Sequence, residues 1–305
     1  MKRMLLCLML LTSPYCSFSQ LQREIPAIPI RDSFDLKGTV TALTEHRFTF
    51  PGGIPTFIYK KEVSFDSLGM VDSMIVTTGP EEVRSTIIYR YNNDQKIEQI
   101  VSFSKKGMED SAVFEYNTRK QLRKIAWYSG KHQLKKAAKF RYSGNRLLYI
   151  RNENGNNTLA GMIRFRYKSP NEYKRMVFDD HLKLSFSQVY VEETDTENYR
   201  NVFCYHYVSA DSFASMETTR YDENGKLTEL VRTGPDRKVV DYVTNIYDEA
   251  GLLEEQTVFA GAKVQATYTH EVDDAGNWLK RKKIVNGEVE EIVTRRLTYS
   301  SDEPS

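Results

Sequence analysis

The residues of this 305-residue chain that could perform catalysis are few and scattered. His46, His132, His181, His206 and His270 each stand alone, and His270-Glu271 lacks the second histidine of a zinc-binding His-Glu-x-x-His pair. No Gly-x-Ser-x-Gly elbow, glycine-rich phosphate loop or EF-hand spacing occurs. Cys204, within Val202-Phe203-Cys204-Tyr205-His206-Tyr207, reads as a small buried strand residue rather than a nucleophile. Acidic residues concentrate in turns, where solvated Asp and Glu belong. A glycosidase needs two carboxylates about 5–10 Å apart, a distance sequence spacing does not supply, so a carbohydrate-active hydrolase on a β scaffold stands as the alternative. The expectation is a non-enzymatic chain with no catalytic residue, metal or cofactor.

Ligand recognition has stronger candidates. The residue just before a recurrent aromatic is Arg90, Glu115, Arg141, Arg166, Arg220 and Ile246 in successive repeats, with Arg164 two positions before Arg166. Two readings of this arginine column stand side by side. One is cross-strand pairing, for instance Arg90 with Glu98, and charge that keeps a sheet soluble. The other is a groove for an anionic glycan or peptide, with arginine forks and stacking aromatics such as Trp127 or Tyr149. The candidate ligand-binding residues are Arg90, Arg141, Arg164, Arg166 and Trp127.

These residues are positioned by a repeat. An aromatic residue precedes a polar turn at Phe65, Tyr91, Tyr116, Tyr142, Tyr167, Tyr221 and Tyr247, and Val272 closes the series. The spacings are 26, 25, 26, 25, 54, 26 and 25, so one anchor is missing near residue 193. A second set of turns, including Lys106-Gly107, Asn154-Gly155 and Asn286-Gly287, lies half a period away. Between turns the residues alternate with period two: Ile87, Tyr89 and Tyr91 fall on one face, Thr86 and Arg90 on the other. Gly69, Gly225, Gly251 and Gly276 stand four positions past their anchors, where a hairpin loop built on a type I turn needs a left-handed residue. The predicted fold is all-β: about nine antiparallel hairpins of 25–27 residues forming a long twisted meander, curled or partly closed. The chain has 19 tyrosines, and the column of anchor tyrosines reads as packing of the inner face.

At the N-terminus, Met1-Lys2-Arg3, the apolar run Met4 to Leu11 and the small residues Ser17 and Ser19 fit a signal peptide, residues 1–19, cleaved between Ser19 and Gln20. Its removal takes Lys2 and Arg3 and no acidic residue, so the formal charge of +2 falls to zero. No nucleic-acid partner is therefore indicated, and no later run is long enough for a transmembrane helix. Cys204 alone remains of the three cysteines, with no intramolecular disulfide to form. The predicted layout is an extended lead-in over 20–37, one hairpin-repeat domain over 38–299 and a polar tail over 300–305.

Tyr221-Asp222-Glu223-Asn224-Gly225-Lys226-Leu227 and Tyr247-Asp248-Glu249-Ala250-Gly251-Leu252-Leu253 resemble the YD repeat of Rhs-type bacterial surface and secreted proteins. Asp273-Asp274-Ala275-Gly276-Asn277-Trp278 resembles the closing repeat of short exported YD-like proteins, and Leu36-Lys37-Gly38-Thr39-Val40 their opening strand. The likeness is clear over 216–299 and is one of spacing only over 60–215. It implies a hairpin array and a periplasmic, outer-membrane-associated or secreted location, and it carries no activity. The expected role is binding or scaffolding an envelope partner, a protein or a polysaccharide. A further alternative is an outer-membrane β-barrel. Against it stand uniformly short loops and Lys280-Arg281-Lys282-Lys283, which places two basic residues on each face.

Overall fold

The computed structural model describes residues 30–79, 83–209 and 212–300. The expected signal peptide with its Ser19–Gln20 cleavage point, most of the lead-in and the tail after residue 300 lie outside the described residues. Period-two alternation in Tyr-, Val-, Ile- and Thr-rich runs produces strands, as β-branched and aromatic side chains fit a pleated surface.

The strands are β1 (Val40–Thr49), β2 (Thr56–Phe65), β3 (Val71–Thr78), β4 (Val83–Tyr91), β5 (Ile97–Ser104), β6 (Gly107–Tyr116) and β7 (Leu122–Ser129). There follow β8 (Leu134–Ser143), β9 (Arg146–Asn154), β10 (Leu159–Tyr167), β11 (Glu172–Phe178), β12 (Leu184–Thr194), β13 (Arg200–Tyr207) and β14 (Phe213–Tyr221). The last are β15 (Leu227–Thr233), β16 (Val239–Tyr247), β17 (Leu253–Ala260), β18 (Lys263–Val272), β19 (Trp278–Val285) and β20 (Glu288–Tyr299).

Each strand pairs antiparallel with the next, and β20 returns to β1 with Leu43 opposite Leu297 and Glu45 opposite Arg295. The 20-stranded sheet is therefore a closed up-and-down β-barrel. Closure gives the two terminal strands partners for edge groups that an open array would expose. Among the described residues the nine anchor hairpins run from β2–β3 to β18–β19, and the two remaining strands, β1 and β20, pair with each other to close the ring.

Most of the anchor turns share one device. The Asp or Asn after the anchor accepts backbone N–H groups two and four residues on. Asp66 Oδ1 takes Leu68 and Met70, Asn92 takes Asp94 and Lys96, and Asn117 takes Arg119 and Gln121. Asp195 takes Glu197 and Tyr199, so the missing anchor is Thr194. The predicted left-handed glycines are so: Gly69, Gly225, Gly251 and Gly276 have φ of 76°, 76°, 79° and 78°. Gln95 and Lys120 hold the same conformation at φ 58° and 61° without being glycine, the side-chain turn bonds offsetting a strain of about 1 kcal/mol.

The anchor tyrosines also lock neighbouring repeats. Their hydroxyls donate to a carbonyl of the preceding strand: Tyr91 to Val71 (2.7 Å), Tyr116 to Ile97 (2.8 Å), Tyr167 to Leu147 and Tyr247 to Leu227 (both 2.9 Å). A cation from the preceding turn covers the ring, as Lys96 does Tyr116 and Lys226 does Tyr247. Each ring thus shields an apolar residue beneath it, and Ile97, Leu122 and Leu147 are buried.

Following the register around the ring puts the anchor tyrosines on a single face. That face is the inner one, and the short segment before β1 lies across it. Phe34 meets the Phe65 ring of β2, Lys37 N–H bonds Asn277 Oδ1 beside β19, and Asp35 lies near enough to Arg295 of β20 and Tyr247 of β16 to affect both. Phe34 and Leu36 join the buried cluster that Val63, Phe65, Tyr89 and Phe114 form on that face. This segment is not wholly extended as expected: Arg31–Phe34 is a 3-10 turn, closed by Ser33 N–H on the Ile30 carbonyl, with Phe34 and Leu36 buried against the wall.

Candidate functional site

The outer wall carries an open hollow of about 520 Å³ on β6–β9. Strand alternation places Glu115, Lys124, Lys139, Arg141, Tyr149, Arg151 and Glu153 there, on the side opposite the tyrosine anchors. With Arg123 the lining holds five cations and two carboxylates. Glu115 takes Arg123 at 2.6 Å and Lys124 at 3.1 Å; Glu153, 3% exposed, takes Lys139 at 2.7 Å and Arg151 at 3.0 Å. The hydrogen bond from Arg123 leads in holding the Glu115 carboxyl below its ordinary pKa, against the effect of burial.

Arg141 is the exception, since no carboxylate among the described residues pairs with it. It stands in register with Tyr149, and Tyr149 with Arg164 of β10, which also leans over the Phe178 ring at 5.7 Å. The sequence Arg141–Tyr149–Arg164 thus crosses three adjacent strands on one face. Two inter-strand spacings separate its guanidinium-bearing positions by about 10 Å. Arg166, beside Lys174 in the next pair, extends the basic surface.

Of the sequence candidates, Arg141, Arg164 and Arg166 therefore share a strip. Arg90 lies four strands away and is held by Gln99 at 3.0 Å; Gln99, rather than Glu98, is its cross-strand partner, because the bulge at Tyr91 sets that register. Trp127 does not belong to the strip. Its opposite neighbours are Ala112 and Lys136 on the inner wall, where the Lys136 ammonium sits 4.7 Å from its ring. Period two forces this: Trp127 is an odd step from Lys124 and Ala126. Tyr149 takes the aromatic role.

Cys204 is buried on the inner wall, with Sγ 3.3 Å from His206 Nε2. The closest group of potential metal ligands among the described residues is Asp179, Asp180 and His181, which is largely exposed. Asp179 Oδ1 there accepts His181 and Lys183 N–H, the same turn device seen at the anchors.

Sequence reasoning missed a charged network on the inner wall where the ring closes. Glu45, 4% exposed, accepts Tyr59 Oη at 2.8 Å, Lys61 Nζ at 3.1 Å and Arg295 Nε at 2.9 Å. Burial alone would raise its pKa, but Lys61 and Arg295, with the Tyr59 and Arg295 hydrogen bonds, bring it down to about 2. Burial and the adjacent Glu45 push the Tyr59 phenol up, so it remains a donor. One step along, Glu291 pairs with Arg47 and lies 3.5 Å from Arg281. The available signal was charge on the tyrosine-facing positions of the terminal strands: Glu45 and Arg47, Arg281 and Lys283, Glu291 and Arg295.

These features define the class: a closed, all-antiparallel β-hairpin repeat barrel with a buried ionic seam and a basic outer strip. No family model and no curated protein matches the chain. Among solved structures it is similar to a porin-like protein from Bacteroides uniformis at 11% identity, covering 86% of this chain and 99% of that one, with a TM-score of 0.37. A porin-like protein from Bacteroides vulgatus gives 11% identity, 63% and 94% coverage and a TM-score of 0.30. A TcdB2-TccC3-Cdc42 structure gives 10% identity, 82% of this chain, 18% of that chain and a TM-score of 0.22. At these scores the architecture is read from the chain's own strand pairing.

Proposed function

We propose that this chain is an exported, non-enzymatic β-barrel of the bacterial envelope that binds an anionic polymer along Arg141–Tyr149–Arg164. The carrying observation is an unpaired guanidinium in register with an aromatic ring and a second arginine, beside a hollow whose four other lining cations are held by Glu115 and Glu153. Arginine forks match carboxylate, sulfate and phosphate groups, and an adjacent ring offers a stacking face. The spacing suits a linear acidic glycan with anionic groups about 10 Å apart. The turn signature supports a YD-type repeat, and that resemblance together with residues 1–19 supports export.

Binding of a uronic-acid polysaccharide should weaken at least tenfold in Arg141→Gln/Arg164→Gln, with a shallower salt dependence and an unaltered melting curve. Equal affinity in parent and variant would sink the reading.

A membrane-spanning barrel is the second reading, and ring closure favours it. The outer wall argues for water: Lys139, Arg141, Arg151, Arg164 and Arg166 all face outward on neighbouring strands, whereas a lipid-facing band penalises each by about 2–4 kcal/mol near its midplane. Recovery of the cleaved chain in the detergent-free soluble fraction supports the water-facing barrel; recovery only in detergent micelles supports the spanning one.

A further inference from the structure

We infer that the inner wall at the seam of β19, β20, β1 and β2 is a second binding site, for a small oxyanionic ligand bearing phosphate or carboxylate groups. It is separate from the outer strip and does not depend on that strip's function.

The network holds more positive charge than it neutralises. Glu45 is shared by Lys61 and Arg295, with Asp35 also acting on Arg295, and Glu291 is shared by Arg47 and Arg281, so three carboxylates face four cations. Lys283, opposite Glu291 in register, directs its ammonium to Glu290.

The two halves differ in completeness. Around Glu45 the Arg295 guanidinium is firmly anchored: Nε bonds Glu45, Nη1 bonds the Phe34 carbonyl, and its face lies 3.5 Å from the Trp278 ring centroid. Arg281 is not. Its contact with Glu291, at 3.5 Å, is at the limit of a hydrogen bond, and its buried Nε has no acceptor. Trp278 at 5.3 Å and Tyr268 at 5.8 Å hold the guanidinium in place without neutralising it.

Arg47 and Arg281 flank Val293 in one cross-strand row. Their side chains are 41% and 32% exposed, so both open onto the lumen. A concave wall with net positive charge concentrates counter-ions, and a guanidinium held by one long contact to a carboxylate gains charge-assisted bonds from an arriving oxyanion. Structural pairing explains the Glu45 half; it leaves the excess charge and the loosely held Arg281 guanidinium unaccounted for.

Trp278 lies against Arg281 and Arg295, and the chain has one other tryptophan, Trp127. In a Trp127→Phe background, inorganic pyrophosphate titrated at low ionic strength should produce a saturable change in Trp278 fluorescence. A parallel citrate titration separates phosphate from carboxylate preference. Arg281→Gln should weaken the response at least tenfold, while Arg141→Gln on the outer wall leaves it unchanged. If Arg281→Gln fails to fold, Lys283→Gln, which also lowers the positive charge of the wall, should weaken binding about threefold. A flat titration with both anions, equal affinity in parent and inner-wall variants, or loss confined to Arg141→Gln would each overturn the site.

Discussion

Glu45 shows how one buried carboxylate can carry both stability and its pH dependence. Its pKa is lowered from 4.5 to about 2, so its contribution is present above about 4.5 and disappears as pH falls through that window. A shift of this size corresponds to roughly 3 kcal/mol. Urea denaturation should therefore show stability declining between pH 4.5 and 2, and Glu45→Gln should flatten that part of the profile. At neutral pH the same variant leaves Lys61 and Arg295 without their shared counter-charge and should lose about 3–5 kcal/mol. An unchanged midpoint at pH 7 would remove Glu45 from the centre of the seam. Arg141 behaves oppositely. It is exposed and lacks a carboxylate, so neutralising it should change binding and leave stability within about 0.5 kcal/mol.

At the level of the hairpin, recurrent turn and lock bonds decide stability. Asn117→Ala removes the acceptor of two backbone N–H groups in the turn after β6 and should lower stability by about 1–2 kcal/mol. Tyr247→Phe deletes only the bond to the Leu227 carbonyl and should lose about 1 kcal/mol, with the strand content by circular dichroism unaltered. A loss above 3 kcal/mol would mean that the hydroxyl does more than join adjacent repeats. The anchor spacing, the turn positions and the left-handed glycines were legible in the sequence, because each is a local steric or hydrogen-bonding requirement. Register was less so: the bulges beside anchors such as Tyr91 and Tyr142 shift pairing by one residue, which moved the partner of Arg90 from Glu98 to Gln99. Period two, applied strictly from Lys124, would have placed Trp127 on the inner wall.

At the scale of the whole molecule, strand contacts run between ring neighbours, and closure joins the two ends of the chain. Leu43 and Leu297 are 254 residues apart in sequence and opposite in the sheet. Removing β20 by truncation before Glu288 should free the edges of β1 and β19, and gel filtration should show larger assemblies than the full chain forms. A truncated chain eluting as a smaller species of the same oligomeric state would show that closure is dispensable. The sequence by itself determined the hairpin, its 25–27-residue period, the tyrosine face and the opposing arginine face, since alternation and turn chemistry act over a few residues. Only the tertiary structure decided that β20 meets β1. That pairing depends on accumulated twist and curvature over twenty strands, and it brings Glu45, Arg295, Arg47 and Glu291 together from opposite ends of the chain. The Arg141–Tyr149–Arg164 strip likewise required the register of three strands, where bulges decide which side chains stand beside one another.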